Sequence, residues 1–327
     1  MNAEPLLLKL ENTVFLRGDT LVIIDRRLLP LDIKEIVCSN SDDVANAIKA
    51  MAVQGAGDIA ICAGYGLLLA ARSSYSRSAQ LSLLQETARK LIAVRPTGFH
   101  LQRFLEKILD NVNNQEGDCA EIIANLLSDA QSKQDAISQK TGRNALGLLE
   151  NGDTLLTHCF AGAGLLYLCK YAQQEGRDFK VICTETRPYL QGARLTASSL
   201  AAIGVDTTLI TDNMVAHCFA TGRANKVFVA ADRIALDGSV ANKIGTLGIA
   251  ISAKHFAIPF YILAYGGPDR KTASGRDIVI EERDPVEVLA GHSLSGVKAL
   301  YPAFDITPRS LVTAYITSKA IIPSADF

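Results

Sequence analysis

Apolar positions in the first part of the chain follow two patterns in succession. From Thr13 to Ser39 they form three strand-like runs, with Arg17-Gly18-Asp19 as a turn and Leu29-Pro30-Leu31 as a break. We expect a small antiparallel sheet there. Helical spacing of apolar residues then predicts the helices Asp42–Val53, Ala56–Ser73, Ala79–Val94, Leu101–Val112 and Cys119 to about Leu149.

After about Gly152 short apolar runs alternate with amphipathic segments, which indicates βαβ units and a parallel sheet. The predicted strands are Thr154–His158, Val181–Thr184, Thr207–Thr211, Val227–Ala231 and Phe260–Ala264. A last helix is expected to open at Thr307-Pro308, with threonine as its cap and proline in its first turn. The predicted fold class is therefore α/β, with a mainly helical domain over residues 1–139 and a parallel-sheet domain over residues 140–327.

Length and composition agree with this picture. A chain of 327 residues with 48% apolar content can bury a large core in about two domains. The 33 Lys and Arg nearly balance the 34 Asp and Glu, so we expect neither nucleic acid nor a membrane surface as a partner. Residues 1–12 lack the apolar stretch of a secretion signal, and Ala60–Ala71 is shorter than the roughly 20 residues that cross a bilayer. We expect a soluble cytoplasmic protein in which Ala60–Ala71 is a buried helix.

The cysteines carry no recognisable metal or redox motif. There are seven of them, and none is part of a CxxC pair. We expect most of them to be reduced and buried as small apolar residues, and we predict no metal site.

Residues capable of chemistry follow the predicted strands, at the edge where open parallel sheets bind ligands. The segments are His158-Cys159-Phe160-Ala161-Gly162, Glu185-Thr186-Arg187-Pro188, Thr211-Asp212-Asn213 and Asp232-Arg233. A thiol, carboxylates and arginines at one edge suit an anionic substrate that needs proton transfer. The same residues could instead serve as helix caps and ion pairs.

Two of these residues are candidates for catalysis. Cys159 precedes the small-residue helix entry Ala161–Gly164, where backbone N–H groups and the helix dipole favour a thiolate; the alternative is a packed small residue. Asp232 ends an apolar strand, where its carboxyl group can have a raised pKa and act as a general acid or base. Its alternative role is to pair with Arg233 or to cap the next segment.

The glycine-containing segment Gly55–Ala60 loosely fits a dinucleotide fingerprint. The segment before it is helical, whereas that fingerprint requires a strand, so we reject a nicotinamide site. A glycine-rich helix start can still bind phosphate through its N–H groups. A tight turn between two helices is the alternative.

Further motifs are spread along almost the whole chain. They are Ile24-Asp25-Arg26-Arg27-Leu28-Leu29-Pro30, Arg95-Pro96-Thr97, Thr157-His158-Cys159, Glu185 to Thr196 (ETRPYLQGARLT), Leu209 to Met214 (LITDNM), Ala231-Asp232-Arg233-Ile234, Val240 to Thr246 (VANKIGT), Glu281 to Pro285 (EERDP) and Pro302-Ala303-Phe304-Asp305. In these segments the chain resembles the methylthioribose-1-phosphate isomerases. The resemblance implies a helical N-terminal domain and a Rossmann-like domain, assembled as a homodimer that needs no metal or organic cofactor.

The resemblance also implies the roles of particular residues. Cys159 and Asp232 correspond to the family's catalytic pair. The sugar phosphate substrate is expected to contact Gln54, Gly55, Ala56, Arg95, Gln191, Asn242 and Lys243.

The chemistry of the expected reaction explains why these groups are needed. Phosphate blocks the anomeric carbon of an aldose 1-phosphate, so ring opening needs a general acid at the ring oxygen. We expect Asp232 to exchange protons with ring and hydroxyl oxygens, and Cys159 to serve the hydrogen shift between C1 and C2. Arg95, Lys243 and the N–H groups near Gly55 are expected to hold the phosphate.

The chain departs from the family at expected substrate contacts. Gln54 stands where the family has an arginine, and Gly57-Asp58-Ile59-Ala60 replaces its Pro-Ala-Ile-Gly. The segment Ala264–Asp269 and Tyr301 also differ. Asp58 is expected to repel a phosphate unless it binds a sugar hydroxyl. These departures concern the expected substrate and not the expected type of reaction.

The sequence leaves three functions open. The first is isomerisation of 5-methylthioribose 1-phosphate to 5-methylthioribulose 1-phosphate in methionine salvage. The second is the same reaction on 5-deoxyribose 1-phosphate or another pentose 1-phosphate. The third is a non-catalytic protein similar to the regulatory subunits of the translation-initiation exchange factor. Those subunits usually lack the catalytic pair, so Cys159 and Asp232 argue against this third function.

Overall fold

The computed structural model describes residues 4–73, 76–95, 98–290 and 296–327. The chain divides into two compact units. The N-terminal unit is Lys9–Ala136, and the C-terminal unit is Ile137–Phe327 together with the residues up to Leu8.

The N-terminal unit combines a small sheet with helices. The elements of this part of the chain are β1 (Val14–Arg17), β2 (Thr20–Ile24), β3 (Glu35–Cys38), α1 (Ser41–Lys49), α2 (Ala56–Arg72), α3 (Arg77–Ala93), α4 (Phe99–Asn114) and α5 (Cys119–Leu146). The sheet has the order β1-β2-β3, and both pairs are antiparallel. This confirms the expected small sheet and the mainly helical character of the first part of the chain.

Helix α2 lies at the centre of the N-terminal unit because it is apolar on nearly every side. All of its residues from Ile59 to Ala71 are buried, as the sequence predicts. Gly64 allows a neighbouring helix to approach closely, since a Cβ atom there would lie 2.7 Å from Cδ2 of Leu127. Over the described ranges, no helix is both long and apolar enough to cross a membrane.

The C-terminal unit is built around a mostly parallel sheet. Its elements are β4 (Asp153–Thr157), α6 (Ala163–Gln174), β5 (Phe179–Thr184), α7 (Ser198–Ala202), β6 (Thr207–Ile210), α8 (Val215–Ala220), β7 (Lys226–Ala230), β8 (Arg233–Ile234), β9 (Val240–Lys243), α9 (Thr246–His255), β10 (Phe260–Tyr265), α10 (Val286–Leu289), β11 (Phe304–Thr307), β12 (Ala314–Thr317) and β13 (Ile321–Pro323). The main sheet has the order β13-β12-β10-β7-β4-β5-β6. Only its edge strand β13 pairs antiparallel. This confirms the predicted α/β class and the Rossmann-like parallel sheet.

The predicted strands of this sheet correspond to β4, β5, β6, β7 and β10. Their central residues, such as Leu155, Val181 and Val227, are fully buried. Continuous apolar runs are typical of parallel strands that are covered on both faces. Because β6, β5, β4 and β7 are neighbours and parallel, the segments that follow them meet at one edge of the sheet.

A second, smaller sheet follows β7 directly and was not predicted. Its order is β11-β9-β8, with both pairs antiparallel. The backbone N–H of Asp232 donates a hydrogen bond to the carbonyl oxygen of Ala241 at 2.9 Å. All residues of β9 are buried, including Asn242 and Lys243. This sheet therefore holds two of the predicted substrate contacts next to a predicted catalytic residue.

The prediction of a final helix at Thr307-Pro308 is wrong. Thr307 ends β11, Pro308 is extended with φ −70° and ψ 149°, and a single 3₁₀ turn over Arg309–Leu311 follows. The next segment, Ala314–Thr317, is fully buried and pairs in parallel with β10. Aromatic and β-branched residues favour a strand there, and this pairing overrides the local signal for a helix cap.

Candidate active site

The backbone of Cys159, immediately after β4, adopts a conformation that is unusual for a residue with a side chain. Its φ is +60°, in the left-handed region. Two threonine hydroxyls hold it there. The N–H of Cys159 donates to Oγ1 of Thr186 at 2.9 Å, and the hydroxyl of Thr196 donates to the Cys159 carbonyl oxygen at 2.6 Å. Strained residues that neighbours hold in this way are concentrated at functional sites.

The loop after β5 supplies the first of these threonines and is itself fixed by a carboxylate. Thr186 has a φ of +65°. Oδ1 of Asp212 accepts a hydrogen bond from the N–H of Thr186 at 2.8 Å, and Oδ2 accepts from the N–H of Arg187 at 2.7 Å. Asp212, at the end of β6, therefore orients the Thr186 loop, and Thr186 in turn orients Cys159.

The surroundings of the Cys159 thiol keep it protonated at neutral pH. Burial raises its pKa to about 11, and the carboxylates of Asp232 and Asp212 act in the same direction. The Lys243 ammonium opposes them by favouring the thiolate. The sequence left open whether the helix entry makes Cys159 a thiolate; desolvation outweighs the nearby positive charge, so the raised pKa favours the neutral thiol. The Asp232 carboxylate and the Lys243 ammonium are thus within electrostatic range of the Cys159 thiol.

His158 links the end of β4 to the loop after β9, and its role was not predicted from the sequence. Burial lowers its pKa, so the ring is neutral at pH 7. Its Nε2 lies 2.9 Å from the carbonyl oxygen of Ile244, which can only accept, so Nε2 carries the hydrogen. Nδ1 then accepts from the hydroxyl of Thr184 at 2.6 Å. His158 thus acts as a positioning residue for the segment that carries Lys243.

Lys243 and Asn242 are held by short-range contacts around the start of α9. Nζ of Lys243 lies 4.7 Å from the ring centroid of Phe304, a cation–π contact. Nδ2 of Asn242 donates to Oγ1 of Thr246 at 3.0 Å, and the Thr246 hydroxyl donates to the Lys243 carbonyl oxygen at 2.7 Å. Asp305 accepts from two N–H groups at the start of α9, and burial raises its pKa to about 6. Asn242 and Lys243 therefore both lie in a network of hydrogen bonds and a cation–π contact around the start of α9.

Gln191 has a buried amide with unused hydrogen-bonding capacity. The side chain is 4% exposed, and its Oε1 has no hydrogen-bond partner among the described residues. The π-helical turn Gly192–Ala197 follows it, and such turns are frequent at functional sites. Gly192 is required there, since a Cβ atom would lie 1.9 Å from the carbonyl oxygen of Thr184. A buried acceptor of this kind can accept a hydrogen bond from a donor on a ligand.

The remaining predicted contacts belong to the N-terminal unit. Gln54 is buried, its Nε2 donates to the Met51 carbonyl oxygen at 3.3 Å, and its Oε1 is unpaired within the described part of the chain. Gly55 caps α2 with a φ of +96°, and Ala56 is the first residue of that helix. Arg95 follows α3 and is half-buried.

Asp58 in the first turn of α2 is charge-paired within its own unit. Its Oδ2 lies 2.7 Å from Nη1 of Arg26, and its Oδ1 accepts a hydrogen bond from Gln134. Arg26 is 1% exposed and also donates to the Gln54 carbonyl oxygen at 2.6 Å. The sequence suggested repulsion of a phosphate or binding of a sugar hydroxyl for Asp58. The structure adds an internal ion pair that neutralises it and ties it to Gln54.

Comparison with known proteins identifies the family to which the chain belongs. Residues 52–324 match the initiation factor 2 subunit family. The chain belongs to this family and, within it, to the methylthioribose-1-phosphate isomerase family, as the sequence motifs indicated.

The relatives that show this are similar over nearly their whole length. A methylthioribose-1-phosphate isomerase from Petrotoga mobilis is 42% identical, covering 93% of each chain. The crystal structure of 5-methylthioribose 1-phosphate isomerase from Pyrococcus horikoshii OT3 superimposes with a TM-score of 0.84 at 33% identity, over 95% of this chain and 92% of the other. A structure described as translation initiation factor eIF-2B, subunit delta, from A. fulgidus gives 0.82 at 36% identity, over 95% of each chain.

Proposed function

We propose that this protein is an aldose–ketose isomerase that converts 5-methylthioribose 1-phosphate into 5-methylthioribulose 1-phosphate, a step of methionine salvage. The relatives named for this activity cover almost the whole chain. The observation that carries the proposal is the strained, half-buried Cys159, whose thiol is influenced by the charges of both Asp232 and Lys243. A thiol, a carboxyl group and an ammonium group in one place suit proton transfer on a phosphorylated sugar.

The roles of the catalytic pair follow from the chemistry of the substrate. Asp232 exchanges protons with the ring and hydroxyl oxygens, so that the ring can open although phosphate blocks C1. Cys159 serves the hydrogen shift between C2 and C1. The Lys243 ammonium favours the charged form of the thiol, which makes loss and return of the thiol proton easier. General acid or base groups of this kind typically contribute about two to four orders of magnitude in rate each.

We propose seven residues as substrate contacts. Gln191, Asn242 and Lys243 contact the substrate from the C-terminal unit. Gln54, Gly55, Ala56 and Arg95 are the contacts in the N-terminal unit. The Oε1 atoms of Gln191 and Gln54 are buried and have no hydrogen-bond partner among the described residues. This supports two of the proposed contacts.

A second substrate, 5-deoxyribose 1-phosphate or another pentose 1-phosphate, is favoured by one observation. Gln54 replaces the arginine of the family, and the nearby Asp58 is neutralised by Arg26 at 2.7 Å. This corner of the N-terminal unit therefore has one positive charge fewer than the family pattern. A pentose 1-phosphate with a different substituent would contact a neutral amide there instead of a positive charge.

One assay separates these possibilities. The purified protein is incubated with 5-methylthioribose 1-phosphate, 5-deoxyribose 1-phosphate and ribose 1,5-bisphosphate, and the ketose products are measured. The highest kcat/KM for the methylthio sugar supports the proposal, whereas a higher value for another sugar selects the second substrate. Absence of turnover on all three would favour a non-catalytic binding protein.

We also propose that the protein works as a cytoplasmic homodimer without nucleic acid as a partner. The nearly balanced charge supports the last point. Light scattering coupled to size-exclusion chromatography measures the assembly, and a mass of twice 35.1 kDa is expected.

A further inference from the structure

Tyr265, at the end of β10, reaches the loop that follows Cys159. Its hydroxyl donates to the carbonyl oxygen of Ala161 at 2.5 Å and accepts from the N–H of Gly164 at 3.2 Å. Gly164 belongs to the first turn of α6, where backbone N–H groups have no partner within the helix. One phenol group therefore satisfies both a loop carbonyl and a helix N–H group.

The backbone around Tyr265 is shaped to aim this side chain. The register between β10 and β12 shifts between Leu263 and Tyr265, as in a β-bulge. Tyr265 has a φ of +46°, and its carbonyl oxygen accepts from the N–H of Ser318 at 3.0 Å. Bulges of this kind redirect a side chain and are over-represented next to active sites. A bulky residue in the left-handed region costs free energy, so the surroundings must hold it there.

Two glycines of the loop are fitted to the tyrosine. A Cβ atom at Gly162 would lie 2.4 Å from the Tyr265 hydroxyl oxygen. At Gly164 the three nearest atoms to a Cβ would all belong to Tyr265, the closest at 2.9 Å. The loop from Cys159 to Gly164 and the side chain of Tyr265 are therefore complementary in shape as well as hydrogen-bonded.

We propose that Tyr265 is a positioning residue that holds the Cys159–Gly164 loop, and with it the thiol of Cys159, in the geometry needed for catalysis. The catalytic part of this inference rests on the proposed function. Threonines hold the backbone of Cys159 itself, and Tyr265 holds the other end of the loop. The Tyr265 hydroxyl also accepts a hydrogen bond from the N–H group of Gly164 in the first turn of α6. This N–H group is therefore used within the protein and does not bind a substrate phosphate.

The test removes the hydroxyl and keeps the ring. In Tyr265→Phe we expect kcat to fall about tenfold with KM within about twofold, since one or two neutral hydrogen bonds are lost. We expect the rate at which iodoacetamide modifies Cys159 to rise about tenfold, because the loop is released. The matched control is Tyr261→Phe on the same strand, whose hydroxyl has no hydrogen-bond partner in the described ranges. This variant should match the wild type in both measurements.

A second experiment does not depend on activity. Gly164→Ala should lower Tm by about 2–4 °C in the wild type, because the new Cβ meets the Tyr265 ring. In a Tyr265→Ala background the same change should leave Tm unchanged or raise it, since alanine favours a helix over glycine.

The results distinguish the two proposals. A Tyr265→Phe variant with wild-type kcat and a wild-type modification rate overturns the positioning role, and so does a rise in KM alone. Equal effects of Gly164→Ala in both backgrounds overturn it as well. If the wild-type protein turns over none of the sugar phosphates, the proposed function fails, while the modification rates and Tm values still decide whether Tyr265 holds the loop.

Discussion

The hydroxyl oxygen of Thr186 accepts the hydrogen bond that the backbone N–H of Cys159 donates, at 2.9 Å. Thr186 is fully buried, and its backbone N–H donates a hydrogen bond to Oδ1 of Asp212. Two neighbouring strands are thus joined through the residue that we propose as catalytic. The strain at Cys159 is offset by a contact from a side chain in the loop that follows the neighbouring strand β5.

This contact yields a prediction for Thr186→Ala. The change leaves the N–H of Cys159 without its acceptor, which typically costs about 1–3 kcal/mol in the free energy of unfolding. Turnover should fall by at least about tenfold, because the thiol loses its fixed position. Urea unfolding and steady-state kinetics measure the two effects. Thr208→Ala, at an exposed site on β6, is the control; wild-type turnover in Thr186→Ala would argue against the positioning role.

The reactivity of Cys159 should depend on pH in a defined way. Its pKa of about 11 means that only a small fraction is thiolate at pH 7. The rate of alkylation should therefore rise about tenfold per pH unit between about pH 7 and 10 and level off near the pKa. The other six cysteines are buried, so Cys159→Ser should show almost no modification in the native protein.

Removing the positive charge of Lys243 should shift this profile. The ammonium favours the thiolate, so Lys243→Met should raise the pKa of Cys159 and slow its alkylation at any pH below about 10. An unchanged profile would mean that Lys243 does not act on the thiol.

Gln191 should show opposite effects on stability and on activity. Its Oε1 is buried without a hydrogen-bond partner in the described structure, so an apolar side chain of similar size removes a desolvation cost. We expect Gln191→Leu to keep or raise Tm while kcat/KM falls at least about tenfold. Thermal unfolding and kinetics on one preparation test this. A fall in Tm with unchanged kcat/KM would show that Gln191 is structural.

Gln54 should influence the choice of substrate. Gln54→Arg introduces the positive charge that the family resemblance leads us to expect at this position, and a charge-assisted hydrogen bond contributes about 1.5–3 kcal/mol. The ratio of kcat/KM for 5-methylthioribose 1-phosphate to that for 5-deoxyribose 1-phosphate should rise. Gln173→Arg, which adds the same charge at an exposed position of α6, controls for net charge. An unchanged ratio would reject this role for Gln54.

Local patterns were enough to predict much of the fold. The strand-like runs after Gly152 and the helical spacing before it depend on neighbouring residues only, and the structure confirms both. The final helix was wrong because the burial of Ala314–Thr317 depends on β10, more than fifty residues away in the chain. Local cap signals contain no information about such pairing.

The sequence suggests candidate residues for the site but not their electrostatic environment. Strand ends pointed to Cys159 and Asp232, but not to the thiol's high pKa, which depends on burial by distant segments. The sequence marks Tyr265 only as part of a segment that departs from the family and does not indicate its contacts, because a bulge aims it at residues about a hundred positions earlier. The ion pair of Arg26 and Asp58 likewise joins a loop after β2 to a helix start.

We propose that the Cys159 thiol and the Asp232 carboxyl group together catalyse the isomerisation. Two substitutions, each assayed on the same substrate, are the most direct test of this proposal. Phosphorus NMR follows 5-methylthioribose 1-phosphate with the wild type, Cys159→Ala and Asp232→Asn, after circular dichroism has shown that all three are folded. We expect the wild type to form the ketose phosphate and each variant to lose at least about a thousandfold in kcat. Turnover near the wild-type rate in either folded variant would contradict the proposed mechanism.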